Sequence, residues 1–140
     1  MKGMTIADTI GVLAVILAVF LFFTQIFPKI LDLIVEAFAT TSAQAVSSQV
    51  AALITVSGVS TYKIEINYNP TKDLTYDVEA SGRMLTVHPR YGVGYVKKVS
   101  SSSPYAVPLA DFKYENVNLF KVIKTFDGVS HYAFSAKKEQ

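Results

Sequence analysis

Residues 9–28 read TIGVLAVILAVFLFFTQIFP, an uncharged run bounded by Asp8 and Lys29. As an α-helix, 20 residues extend about 30 Å, the thickness of a bilayer's hydrocarbon core. The centre of the run, residues 10–23, is apolar on every helical face. A core helix of a small domain needs one apolar stripe, so all-round apolarity predicts a membrane-embedded or helix-bundled segment. A cleaved secretory signal is the rival reading. Its apolar core is shorter, and Thr24, Gln25, Ile26, Phe27 and Pro28 are too bulky to offer a small-x-small cleavage site. The helix is therefore expected to be retained.

The rest of the chain is shaped by that run. The 140 residues are 51% hydrophobic and only 17% charged, with a mean hydropathy of +0.34. That length allows one modest domain and an appendage. Lysine and arginine number 13 against 11 acidic residues, a net charge of +2, too balanced for a nucleic-acid binder. There is no cysteine, which excludes disulfide scaffolds, thiolate zinc sites and cysteine nucleophiles.

Beyond Pro28 the helical spacing continues through Ile30, Leu31, Ile34, Val35 and Phe38, with Lys29, Asp32 and Glu36 opposite. Pro28 removes one intrahelical hydrogen bond, so a kink is expected there rather than a break. No charge occurs between Glu36 and Lys63. Ala43, Val46, Val50 and Leu53 carry an apolar stripe through this stretch, and the retained 3-and-4 spacing favours helix over a Ser/Thr linker. Small uncharged residues all round suit close packing against other helices or against the chain's own domain. Ala45, Val46, Val50, Ala51 and Leu53 are the candidate assembly contacts, and Ala45→Lys or Ala51→Lys is expected to impair oligomerisation more than folding. Ser57 and Gly58 supply the stop signal. The domain boundary is placed there, with a stem over residues 1–58 and a β-domain over residues 59–140.

From Tyr62 onward the period becomes two. Tyr62, Ile64, Ile66 and Tyr68, then Leu74, Tyr76, Val78 and Ala80, alternate with polar residues as half-buried strands do. Residues 69–73 read as the turn between them, and Ser81 and Gly82 as a second hairpin into residues 83–88. Further strands are expected over residues 94–99, 112–116, 119–126 and 129–136, with Asp127-Gly128 as a two-residue hairpin turn. Residues 100–104, SSSSP, read as a loop. The fold class is α+β and membrane-anchored: a long hydrophobic N-terminal helix, then a small antiparallel sandwich or barrel. All eight tyrosines fall in the β part and are expected to rim the sheets with hydroxyls in water.

Chemistry-bearing residues are sparse. His88 and His131 come from distant strands without a neighbouring carboxylate, so they read as surface histidines rather than metal ligands. Asp77 and Glu79 share a strand face among cations, the pattern of a solvated face rather than a catalytic pair. Gly92-Val93-Gly94 lacks the third glycine and the following helix of a phosphate loop. Lys97-Lys98 and Lys137-Lys138 are pairs, not a basic stripe. No enzyme, cofactor or metal is expected.

At the N-terminus, Lys2-Gly3 precedes Met4-Thr5-Ile6-Ala7-Asp8 and the apolar run. A short basic leader ending in glycine, a nearby acid and an apolar helix running into a β-domain resemble the type IV pilin superfamily, with archaeal pilins, archaellins and their membrane-anchored accessory proteins nearest. The resemblance implies cleavage between Gly3 and Met4, making Asp8 the fifth mature residue. It also implies that the Asp8 carboxylate neutralises a neighbouring subunit's amino terminus in an apolar filament core. An accessory protein would keep its leader, and Asp8 would then serve as a helix N-terminal acid favoured by the macrodipole. The function read from these features is assembly rather than turnover. The partners are membrane lipid and related subunits met through the N-terminal helix, with no nucleic acid. The alternatives are a structural membrane protein of a virion or envelope complex and a membrane-tethered ligand-binding β-domain. The expected topology is a cytoplasmic N-terminus with residues 61–140 outside, or assembly in an extracellular filament.

Overall fold

The computed structural model of the chain describes residues 6–70, 74–90 and 99–138. The expected strand over residues 94–99, the turn residues 71–73, the glycine pair at 92 and 94, Lys97-Lys98, Gly3 and Met4 lie wholly or largely outside them.

The N-terminal half is one helical run, Ile6–Val59, of 54 residues. It consists of α1 (Ile6–Leu21), a π-helical turn (Phe22–Ile26) and α2 (Phe27–Val59). The π turn is how the helix absorbs Pro28. A proline ring crowds the carbonyl four residues earlier and offers no N–H. Here the preceding turn widens, and Phe27 N–H donates to Phe22 O, five residues back. Helices accommodate local strain in such single wide turns.

Two compact units result, Met1–Val35 and Glu36–Gln140. The change of period near residue 58 marks where helix gives way to strand, but the compact units divide earlier, inside α2.

The second unit joins α2 to two antiparallel sheets. One has the order β1 (Ile64–Tyr68), β6 (Leu119–Phe126), β7 (Ser130–Lys137). The other runs β4 (Ser101–Pro104), β3 (Met84–Arg90), β2 (Thr75–Ser81), β5 (Phe112–Val117). The core is dry because the inward positions of the strands meet one face of α2. Val46, Val50, Ala51 and Ile54 share a cluster with Tyr76, Val78, Leu85, Val87, Phe120 and Val122. Full burial of each valine or isoleucine there contributes about 1.5–3 kcal/mol. Stacking of Phe112 on Phe134, centroids 4.3 Å apart, and Tyr114 hydroxyl donation to Phe134 O at 3.1 Å join β5 to β7 across the two sheets.

Several local expectations are corrected. β1 and β2 are not hairpin partners; β1 pairs with β6 and β2 with β3 and β5. Local period specifies a strand but not its neighbour. Residues 101–104 form a strand rather than a loop, pairing Leu85 with Ser103 and Val87 with Ser101. The serines suit an edge strand lying close beside a helix: Ser47 Oγ meets Ser101 Oγ at 3.0 Å and Ser103 Oγ at 3.1 Å. On the other face Ser102 Oγ meets Thr86 Oγ1 at 2.8 Å. The β6–β7 connection takes three residues, since Phe126 pairs with Ser130, and Val129 stays in the loop at 65% exposure. Tyr76 and Tyr105 are buried rather than rimming a sheet, the Tyr76 hydroxyl lying 2.8 Å from Ser42 Oγ.

The β2–β3 hairpin turns on Gly82 and Arg83, both at positive φ (57° and 66°), as a two-residue turn with right-handed twist requires. At the end of α2, Lys124 is buried and donates to the carbonyls of Gly58, at 3.0 Å, and Ser60. A cation placed on unpaired carbonyls satisfies the helix C-terminus. A Cβ at Gly58 would come within 2.6 Å of Val107 Cγ1, so only glycine lets the chain pass there.

Ala51 is 2% exposed, whereas Ala45 lies on the solvent face. Ala51→Lys should therefore destabilise the β-domain by several kcal/mol, because the ammonium would be buried without a partner. Ala45→Lys should stay within about 0.5 kcal/mol of the parent. Thermal unfolding followed by near-UV circular dichroism distinguishes them; equal melting temperatures would place Ala51 outside the core.

Candidate functional site

In α1 no residue is buried. Leu13 is 69% exposed and Phe20 63%, and Leu33 and Phe38 on the early part of α2 are 70% and 69% exposed. Apolar side chains are exposed along the whole of α1. Such an uncovered surface far exceeds the isolated apolar side chains common on soluble proteins. The run is long and apolar enough to cross a membrane.

Its few polar features are placed at the ends. Asp8 sits in the first turn of α1, where a negative charge is favoured by the exposed N–H groups. Thr24 donates its hydroxyl to Phe20 O at 2.8 Å, a back-bond that satisfies it within the helix. Around the π turn, Phe22 and Phe23 meet edge-on at 5.5 Å and Phe23 lies 5.7 Å from Phe27. Lys29, Asp32 and Glu36 follow one turn beyond.

The candidate assembly contacts separate into two classes. Val46, Val50 and Ala51 are buried against the chain's own sheets, Leu53 is half-buried, and Ala45 faces solvent. The stripe legible through this segment is chiefly the inner face of α2. Ile54 and Ser47, both fully buried, belong to that face and were not singled out. Ser47 is hidden from hydrophobic periodicity because its inward contacts are hydroxyls.

Several polar side chains of the sheets make local contacts. Asp77 accepts from Arg90 Nε at 2.6 and 2.8 Å and from the Asn116 backbone N–H at 2.8 Å. Asn116, at φ 57°, lies where two β5 residues oppose Asp77, between the pairs Tyr76–Val117 and Val78–Tyr114. The carboxylate thus ties down a β-bulge. His88 lies on β3 of one sheet and His131 on β7 of the other, where His131 Nε2 meets Asp127 Oδ1 at 3.1 Å. Among the described residues no three or more His, Cys, Asp or Glu side chains gather as a metal site would require. The surface hollows there are shallow: one lies between α2 and β4, lined by Ser48, Ala52, Val56 and Pro104, and another by Glu65, Asn67, Lys121 and Lys137.

The hydrogen bond from Lys121 holds the Glu65 carboxyl below its ordinary value, with partial desolvation opposing it. The pair meets at 2.6 Å. A lowered folded pKa contributes stability above the ordinary carboxylate range, and the contribution is lost as pH falls through the folded value. Lys121→Met should raise the Glu65 midpoint toward 4.5 in an NMR titration. An unmoved midpoint would show that Lys121 does not hold the carboxylate.

The chain matches no protein-family model, no curated protein and no solved structure.

Proposed function

We propose that this chain is a non-enzymatic assembly protein, anchored in a membrane by residues 9–28 and bearing an extracytoplasmic β-domain. Within that role the best reading is a pilin-like subunit of an archaeal surface filament, or the membrane-anchored accessory of such a machine. The observation that carries it is the exposure of every residue of α1. A 16-residue helix of this composition is not stable against water, and lipid or a bundle of like helices is the environment that matches it.

The β-domain supports a display or packing role. Its core is shared with α2, so head and helix fold as one piece in the unit Glu36–Gln140. A load applied to the helix would be borne by a packed core and not by a linker. The pilin reading adds the sequence signature at Lys2, Gly3, Met4 and Asp8. On that reading Gly3 is the small residue at the cut, and the Asp8 carboxylate pairs with an amino terminus in an apolar surrounding.

Membrane fractions washed at alkaline pH should retain the full chain, and protease added to intact cells should remove residues 61–140. Release by the alkaline wash would contradict anchoring, and protection from protease would reverse the topology. Intact mass of native filaments should lack residues 1–3, and Gly3→Val should block that loss. A polymerised filament whose subunits keep residues 1–3 would sink the processed-subunit reading and leave anchoring untouched.

A further inference from the structure

Beyond Phe38, the large apolar side chains left exposed among the described residues are Val56, Val59, Tyr62, Met84, Phe126 and Val129. Scattered singly over a domain they would need no explanation. They share one end of the unit Glu36–Gln140. Val56 and Val59 stand on the last turn of α2. Lys124 donates to Gly58 O and Ser60 O, which fixes that turn over β6, two residues short of Phe126. The β1–β6 register ends at Ile64 opposite Lys124, so Tyr62 and Phe126 each lie two residues beyond it, and Val129 is in the loop that follows. Ala106 N–H donates to Thr55 Oγ1 at 3.2 Å and Tyr105 N–H to Arg83 O at 3.1 Å. These bonds tie the β2–β3 turn, and Met84 with it, to the same end.

Residues 36–59 extend about 35 Å as a helix, so the cluster lies at the end of α2 away from Glu36 and the apolar run before it. Val59 is 81% exposed, Tyr62 78% and Val129 65%, the values of protruding side chains rather than of groove walls. Cations lie among them: Lys63 beside Tyr62, Arg83 in the β2–β3 turn and the buried Lys124. The acids at this end are engaged. Asp127 meets His131 Nε2 at 3.1 Å, and Asp111 accepts from Ser81 Oγ at 3.4 Å.

We propose that this end of the β-domain is a lipid-contacting tip that enters the headgroup region of a bilayer other than the one holding α1. The inference rests on the anchoring reading above, in which the chain leaves its own bilayer at the opposite end of α2. Shape and charge select lipid as the occupant. Protruding valines and a phenylalanine suit the acyl boundary, a tyrosine suits the polar–apolar interface, and surrounding cations suit anionic headgroups. A bilayer deforms around protruding side chains, whereas a rigid partner has to supply a pocket for each.

The test uses the full chain reconstituted in vesicles, with outward β-domains counted by protease access to residues 61–140. Protein-free, sucrose-loaded phosphatidylcholine vesicles, with or without about 30% phosphatidylglycerol, are then offered and captured chain is scored by co-sedimentation. The wild-type chain should capture both kinds, the anionic one more. Phe126→Ser with Val129→Ser should lower capture about tenfold, and Val59→Ser, on a separate segment, should lower it too. Lys63→Ser should lower capture of the anionic vesicles alone, about fivefold. Only variants with the parent's near-UV circular dichroism are compared, so loss of fold is not scored as loss of contact. Absence of capture by the wild-type chain, or capture unchanged by both apolar variants, overturns the lipid tip alone. Clumping of the protein-bearing vesicles without acceptors, abolished by the same variants, overturns it in favour of a second copy as occupant. Wild-type chain released from its vesicles by an alkaline wash overturns the anchoring reading and this inference with it.

Discussion

The inner face of α2 between Ala39 and Ser57 has to stay dry, and the β-domain is arranged around that requirement. Ala39, Ala43, Val46, Val50, Ala51 and Ile54 are each at most 2% exposed, and both sheets contribute to covering them. Alanine and serine at the contact keep the helix close to the strands, and hydroxyls replace methyl groups where β4 approaches. Several buried polar groups at this contact are satisfied by a partner. Ser47 has Ser101 and Ser103, Tyr76 has Ser42, and Lys124 has the carbonyls that end the helix. If the α2 face were withdrawn, the two sheets would still meet through Phe112 and Phe134 but would expose the core they share with the helix.

That dependence explains what the sequence disclosed. The long helix, the strand period and the β2–β3 hairpin were legible because each is written in local spacing and turn chemistry. The alternation of Tyr76, Val78 and Ala80 correctly marks an inward face, and so does that of Leu85 and Val87. Lys124 occupies the inward register of Phe120 and Val122, yet a lysine there reads as a break in the pattern until the end of α2 is seen beneath it. The SSSP strand was missed because edge position and contact with Ser47 replace hydrophobic alternation. Partners joined by tight turns, β2 with β3 and β6 with β7, were legible, and the other pairings were not. β1 and β2 are adjacent in sequence but lie in different sheets, and β5 and β6 are separated only by the buried Asn118.

The same helical run meets two kinds of surroundings. Its C-terminal part presents one face to a protein core and the other to solvent, so it carries serine, threonine and glutamine outward. Its N-terminal part is apolar all round and exposed along α1. Pro28 and the π turn lie between these regimes, where the backbone gives up donors. On the proposed membrane reading, such a chain gains stability twice, by folding a domain on one part of the helix and from its surroundings on the other. Asp77 is held by Arg90 and by the Asn116 backbone.

The central claim is that one helix is protected in two different ways along its length and open to water on the outer face of its domain part. Thiol labelling of single-cysteine variants in native membranes, with a membrane-impermeant maleimide, tests it directly. Leu17→Cys should react only after the membrane is dissolved, Ala43→Cys only after the domain is unfolded, and Ala45→Cys under all conditions. Ready labelling of Leu17→Cys in intact membranes would contradict the account, because the uncovered apolar helix would then be facing water.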